Sequence, residues 1–271
     1  MSNGSVPKGA KPLTHQVAGH VHSGKRPGFL ESEDGFILKP LQDPPRGPRE
    51  LHFYERVFNG TDPAPHVLKL KEFLPKYYGS FKHGEVTYIQ LEDVARKFKK
   101  PCIADLKMGA ITYDPEASEA KKMRELAKYE YLHKLGFQIR GMRIYNSSTE
   151  EFDIYDKTYL RSLNEEEVFT KGFAKLFNFG GQTHLLAVEK VLAKLYKIRS
   201  WFESQHEFSF YASSLLVAYD ADEDAGDKSE LVADVRLIDF AHVFPLPGDV
   251  LDLNFLSGLR CLISYLERLL N

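Results

Sequence analysis

The chain has 271 residues, with 36 Lys and Arg against 38 Asp and Glu; a formal charge of -2 excludes a protein held to nucleic acid by bulk charge. A hydrophobic fraction of 43% and an aromatic fraction of 13% suffice for a buried core, which excludes wholesale disorder. Cys102 and Cys261 are too few for a disulfide framework or a thiolate zinc site, and no stretch approaches the ~20 apolar residues of a transmembrane helix.

Residues 1–28, rich in Gly, Pro, Lys and His, read as a loose arm, and their lack of an apolar stretch argues against a secretory signal. Two apolar runs in 28–41 flank Asp34-Gly35, the signature of a hairpin turn. The stretch 43–48 (DPPRGP) breaks structure, and a helix follows with apolar residues from Leu51 to Phe58. A second strand pair is expected at 77–81 and 86–91, completing a small β-rich N-lobe over 29–95. The C-lobe, 96–271, opens after a basic run. Its expected helices are 115–135, 185–204 and 255–270, with β-like runs at 208–219 and 231–244 joined by an acidic turn from Asp220 to Asp227. The expectation is an α+β fold in two lobes, with the cleft between them as the site.

Several residue groups bear on chemistry. Asp239 follows an apolar run (VRLID), where a carboxylate is costly unless it is paired or holds a cation. Asp105 and Lys107, in PCIADLKMG, project to one side of an extended chain. Such a pair at a cleft mouth suits a hydroxyl and a transferring phosphoryl group; taken alone, a surface ion pair is the plainer account. Lys121, Arg124, Glu125 and Lys128 share one helical face, opposite Met123 and Ala127. Seven basic and three acidic residues lie from Glu119 to Arg143, with no aromatic ladder interleaved with the charges, which fits a polyanion better than a nucleic-acid groove. Lys39, on the first hairpin, precedes Glu50 in the next helix, the pairing by which kinases hold a lysine against nucleotide phosphates. Backbone groups of Leu91-Glu92-Asp93-Val94, at the join of the lobes, are placed to meet an adenine or to act as a plain linker. The sequence holds no G-x-x-x-x-G-K-[ST], G-x-G-x-x-G, H-R-D or D-F-G motif. His15 and His20, in HQVAGH, lack a carboxylate at metal-ligand spacing and read as packing or loop residues.

Taken together, these segments resemble the inositol polyphosphate kinase family. PCIADLKMG is similar to its P-x-x-x-D-x-K-x-G signature, Ser213-Ser214-Leu215-Leu216 to its S-S-L-L segment, and Ile238-Asp239-Phe240 to its I-D-F motif. Asp252, Asn254, Gly258 and Leu259 match its D-x-N…G-L pattern, in the same order along the chain. The flanks HQVAGH, LKPLQDPPRGPRELHFY, LEDVARKF, GMRIY and IDFAHVFP resemble the multikinase branch of that family. The resemblance implies a two-lobed protein-kinase-like fold and transfer from ATP, with Mg2+, to hydroxyls of inositol trisphosphate and tetrakisphosphate. The headgroup of phosphatidylinositol bisphosphate at a membrane surface is a further candidate. It also implies that Lys39 contacts the ATP phosphates and that Glu92 and Val94 bind adenine through their backbone. Asp105 would hold the ribose or the accepting hydroxyl, Lys107 the transferring phosphoryl group, and Asp239 the metal. Arg46, Lys107, Lys121, Arg124, Lys128 and His242 would face the inositol phosphate. A hexakisphosphate kinase, a trisphosphate 3-kinase and a non-catalytic phosphoinositide-binding scaffold stay open as alternatives. A monomer without nucleic-acid partners, in cytoplasm or nucleus, is expected.

Overall fold

The computed structural model describes residues 6–19, 22–23, 27–60, 64–179, 181–222 and 233–271. His20, most of the acidic turn after Asp220 and the start of the run 231–244 lie outside them.

The N-lobe is built on a five-stranded antiparallel sheet in the order Lys11–Pro12, Leu30–Glu31, Phe36–Pro40, Val86–Glu92, Tyr77–His83. Both hairpins turn on glycines with positive φ, Gly35 at 79° and Gly84 at 58°, conformations that cost glycine little. The helix Arg46–Asn59 begins inside the expected break, because Pro48 falls in its first turn, where a missing amide proton costs nothing. It buries Glu50, Phe53, Tyr54 and Val57, the stripe of one helical face. Phe53 packs on Phe240 at 4.4 Å and edge-on to Phe208 at 5.7 Å, so one hydrophobic core runs through both lobes.

The C-lobe sheet runs Ala233–Ile238, Ser214–Asp220, Pro101–Met108, Phe137–Asn146, Glu151–Tyr155, all antiparallel. Leu185–Phe202 and Leu253–Glu267 are the long helices of this lobe, close to the expected spans. On the central strand Ala104, Leu106 and Met108 are fully buried, while Ile103 and Asp105 line the interlobe cavity; period-two alternation assigns the two faces.

Three expectations are corrected. The run 208–219 is two strands, Phe208–Phe210 and Ser214–Asp220, and its partner divides into Ala233–Ile238 and Val243–Pro245. The breaks fall at Ala212 and Asp239, with φ of 55° and 66°, which swing both strands out of the large sheet into a small ribbon. The helix expected at 115–135 is two pieces, Glu119–Leu126 and Leu132–Leu135. Its core anchors are Tyr129, Leu132 and Leu135, whereas Met123 is 72% exposed. Tyr129, whose hydroxyl donates to Leu163 O at 3.0 Å, fixes the turn between the pieces. Residues 6–19, expected to be loose, pack along the N-lobe sheet and onto the C-lobe.

Candidate active site

The breaks that end the large sheet also build the site. Asp239 occupies the left-handed bend after Ile238, a conformation that aspartate tolerates better than branched residues. Its Oδ1 accepts from Lys39 Nζ at 2.6 Å, across the cleft from the N-lobe strand Phe36–Pro40. Lys39 also donates to Glu50 Oε1 at 2.6 Å, and that oxygen accepts from the Phe240 amide at 3.1 Å. One helix carboxylate thus fixes both the strand lysine and the bend that carries Asp239. Burial opposes the charge on Lys39, but Asp239 and Glu50 outweigh it and hold the ammonium well above the ordinary lysine range. Burial likewise opposes the Asp239 charge, and Lys39 reverses the balance, keeping the carboxyl below its usual range.

These groups close one end of a cavity of about 250 Å³ between the lobes, lined by Ile37, Leu91, Val94, Ile103, Leu216 and Ile238. Apolar walls with a few polar groups at one end suit a flat heterocycle attached to an anionic tail. At the join, the Glu92 amide donates to Lys76 O at 2.9 Å. Val94 makes no backbone hydrogen bond among the described residues.

Asp105 is buried opposite Asp239. Burial first, then the charge of Asp239, lifts its carboxyl to about 6. Its Oδ1 has no hydrogen-bond partner among the described residues, an uncommon state for a buried oxygen. Of these two facing carboxylates, Asp239, with its side chain 44% open to the cleft, suits a divalent cation, whereas Asp105 keeps an unpartnered oxygen for a hydroxyl or its proton. No group of three or more His, Cys, Asp or Glu converges among the described residues, so such a cation would also need phosphate or water oxygens, the habit of Mg2+.

Lys107, two residues on, is depressed to about 8 by burial and then by Arg140 beside it on the neighbouring strand. Glu125 and Lys128 also act on Lys107, and Glu125 pairs with Lys128. Deeper along this rim, Asp114 Oδ2 lies 2.5 Å from His242 Nδ1 and 3.3 Å from Lys121 Nζ. Lys107, Lys121, Lys128 and His242 therefore lie in one continuous rim. Arg46, at a helix start, and Arg124 are exposed and pair with none of these groups among the described residues. Sequence reasoning missed Arg140 and Asp114. Arg140 carried a readable signal, as one of two arginines in the mostly buried strand beside the PCIADLKMG strand. It also missed Arg49, which reaches Glu116 at 2.9 Å and Ala241 O at 3.4 Å from the face of the helix that carries Glu50.

Residues 88–267 match the profile of the family described as inositol polyphosphate kinase. The chain is 41% identical over 215 residues to the inositol polyphosphate multikinase of Rattus norvegicus, covering 78% of this chain and 54% of that protein. It is 30% identical over 274 residues to inositol polyphosphate multikinase alpha of Arabidopsis thaliana, covering 94% of each. The chain thus spans about half the length of the mammalian relatives and nearly all of the plant one. Among solved structures it is similar to the inositol phosphate multikinase Ipk2 of S. cerevisiae in complex with ADP and Mn2+. That match has a TM-score of 0.71 and 26% identity, and covers 87% of this chain and 99% of that one. The two-lobed fold, the ordered motifs and these matches agree, and the chain belongs to the inositol polyphosphate kinase family.

Proposed function

We propose that the protein transfers the γ-phosphoryl group of ATP to hydroxyls of inositol polyphosphates. One observation carries this reading: the Asp105–Lys107 strand face lies between an apolar cavity closed by the Lys39–Asp239 pair and a rim of Lys107, Arg140, Lys128, Lys121 and His242. A base and sugar fit the first, and a small, highly charged anion fits the second. In this reading the Glu92 carbonyl and the Val94 backbone hold adenine, and Lys39 holds the nucleotide phosphates. Asp239 would hold Mg2+, which supplies charge neutralisation at the phosphate oxygens. The acceptor hydroxyl attacks the γ-phosphorus while Asp105 takes its proton, and the bond to the β-phosphate oxygen breaks to release ADP. Lys107 neutralises the equatorial oxygens during transfer. Positioning and charge neutralisation are what phosphoryl transfer chiefly requires. Incubation with Mg-ATP and a panel of inositol phosphates should give more highly phosphorylated inositols, with one ADP formed for each phosphoryl group gained.

A phosphoinositide headgroup is a second acceptor class, favoured by one observation. On the Glu119–Leu126 helix the apolar residues Met123 and Leu126 face outward, 72% and 55% exposed, beside Lys122 and Arg124. That outer face suits a bilayer interface while the inner face holds phosphates. Anionic vesicles carrying phosphatidylinositol bisphosphate should therefore be phosphorylated, and Met123→Ser with Leu126→Ser should reduce that activity while sparing soluble substrate.

A further inference from the structure

Residues 6–19 follow the edge of the small sheet and then cross the mouth of the interlobe cavity. Their path is fixed at three points. Lys11 and Pro12 pair with Glu31 and Leu30, and the Leu13 amide donates to Phe29 O at 3.2 Å. His15 donates through Nε2 to Asp93 Oδ1 at 3.0 Å, with the two side chains 15% and 3% exposed. The same oxygen accepts from the Ala95 amide at 3.0 Å, so His15 is tied to the turn that joins the lobes. Val17 then enters the C-lobe, packing with Ala95, Phe98, Ile103 and Ala218. Its carbonyl lies against Gly141, where an added methyl group would come within 1.8 Å of the oxygen. Glycine at that strand position is what lets the segment approach. Between these anchors Leu13, His15, Gln16 and Val17 line the same cavity as Ile37 and Leu91.

We propose that residues 13–19 form a strap that makes the outer wall of the nucleotide site, and that His15, through Asp93, is the positioning residue that holds it there. The proposal rests on the reading of this cavity as the nucleotide site. A wall already in place spares the ligand the cost of ordering it and removes water from the second face of a flat base. The strap is anchored on both sides of the cleft, so opening the cleft stretches it.

The test is calorimetric titration of the full chain with ADP and Mg2+, alongside steady-state kinetics. His15→Ala should weaken ADP about tenfold, the scale of one lost charge-assisted hydrogen bond. The KM for ATP should rise in step, while the KM for inositol phosphate stays within about twofold. His15→Gln retains a donor and should recover most of the affinity. Gly141→Ala dislodges the strap from its other end and should give the same selective loss. Parental ADP affinity in both His15→Ala and Gly141→Ala overturns the strap. Equal loss toward both substrates without rescue by His15→Gln also overturns it, since His15 would then serve overall stability. A parent chain that binds no ADP overturns the reading of the cavity, and the strap with it.

Discussion

Asp105 and Lys107 sit on one strand face, yet burial and their neighbours push them in opposite directions, one up to about 6 and the other down to about 8. The two values bracket neutrality, where an ionised acid and a protonated lysine coexist. Below about 6 Asp105 is neutral and cannot take a proton; above about 8 Lys107 loses the charge that faces the phosphoryl oxygens. We therefore expect kcat/KM for inositol phosphate to be bell-shaped, with limbs near these two values, and a profile flat from about pH 5 to 9 would contradict the assignment. Lys107 also bears on stability. Its folded pKa lies below the unfolded 10.5, so between about 8 and 10.5 the unfolded chain binds more protons and stability rises with pH. Lys107→Met should abolish transfer, raise Tm at pH 7 by roughly 2–6 °C and flatten that pH dependence; a lower Tm would show that the charge is structurally needed.

Among the elements, the hairpins were legible because their turns are chemical: Asp34-Gly35 and Gly84 leave little choice of backbone. The long helices were legible from their apolar periodicity. The break in the paired runs 208–219 and 231–244 was not, because it depends on Ala212 and Asp239 adopting left-handed conformations that neither residue announces. The 115–135 region misled for a related reason, since Met123 and Ala127 recur at helical spacing but face solvent, and the buried anchors are Tyr129, Leu132 and Leu135. Lys39, Asp105, Lys107 and Asp239 were readable through their motifs, whereas Asp114 and the 13–19 segment gain meaning only from long-range packing. Ala212 at φ 55° carries strain that glycine would not, so Ala212→Gly should stabilise the fold by up to about 1 kcal/mol; chemical denaturation showing a loss would contradict that. The Glu119–Leu126 helix and the turn after it bring Lys121 and Lys128 to the rim. Lys121→Glu with Lys128→Glu should raise the KM for inositol phosphate by about tenfold or more while ADP affinity stays near parental. Unchanged inositol phosphate kinetics would reduce that face to a solvated surface.

The whole molecule carries a small negative net charge while concentrating cations at one rim, so its attraction for a polyanion is local and focused by low-dielectric walls. The continuous core through Phe53, Phe240 and Phe208 holds the lobes together, and the Lys39–Glu50–Asp239 cluster lies where they meet. Rising ionic strength should therefore raise the KM for inositol phosphate more than that for ATP, whose base is held by apolar contacts. The most direct measurement follows the full chain with Mg-ATP and an inositol trisphosphate, resolving nucleotides and inositol phosphates together, beside Asp239→Asn. The prediction is one phosphoryl group gained by the inositol for each ADP formed, with a drop of roughly 10³-fold or more in the variant while the fold is kept. ADP formed without phosphorylated inositol, no turnover in the parent, or a variant within about tenfold of it would contradict the account.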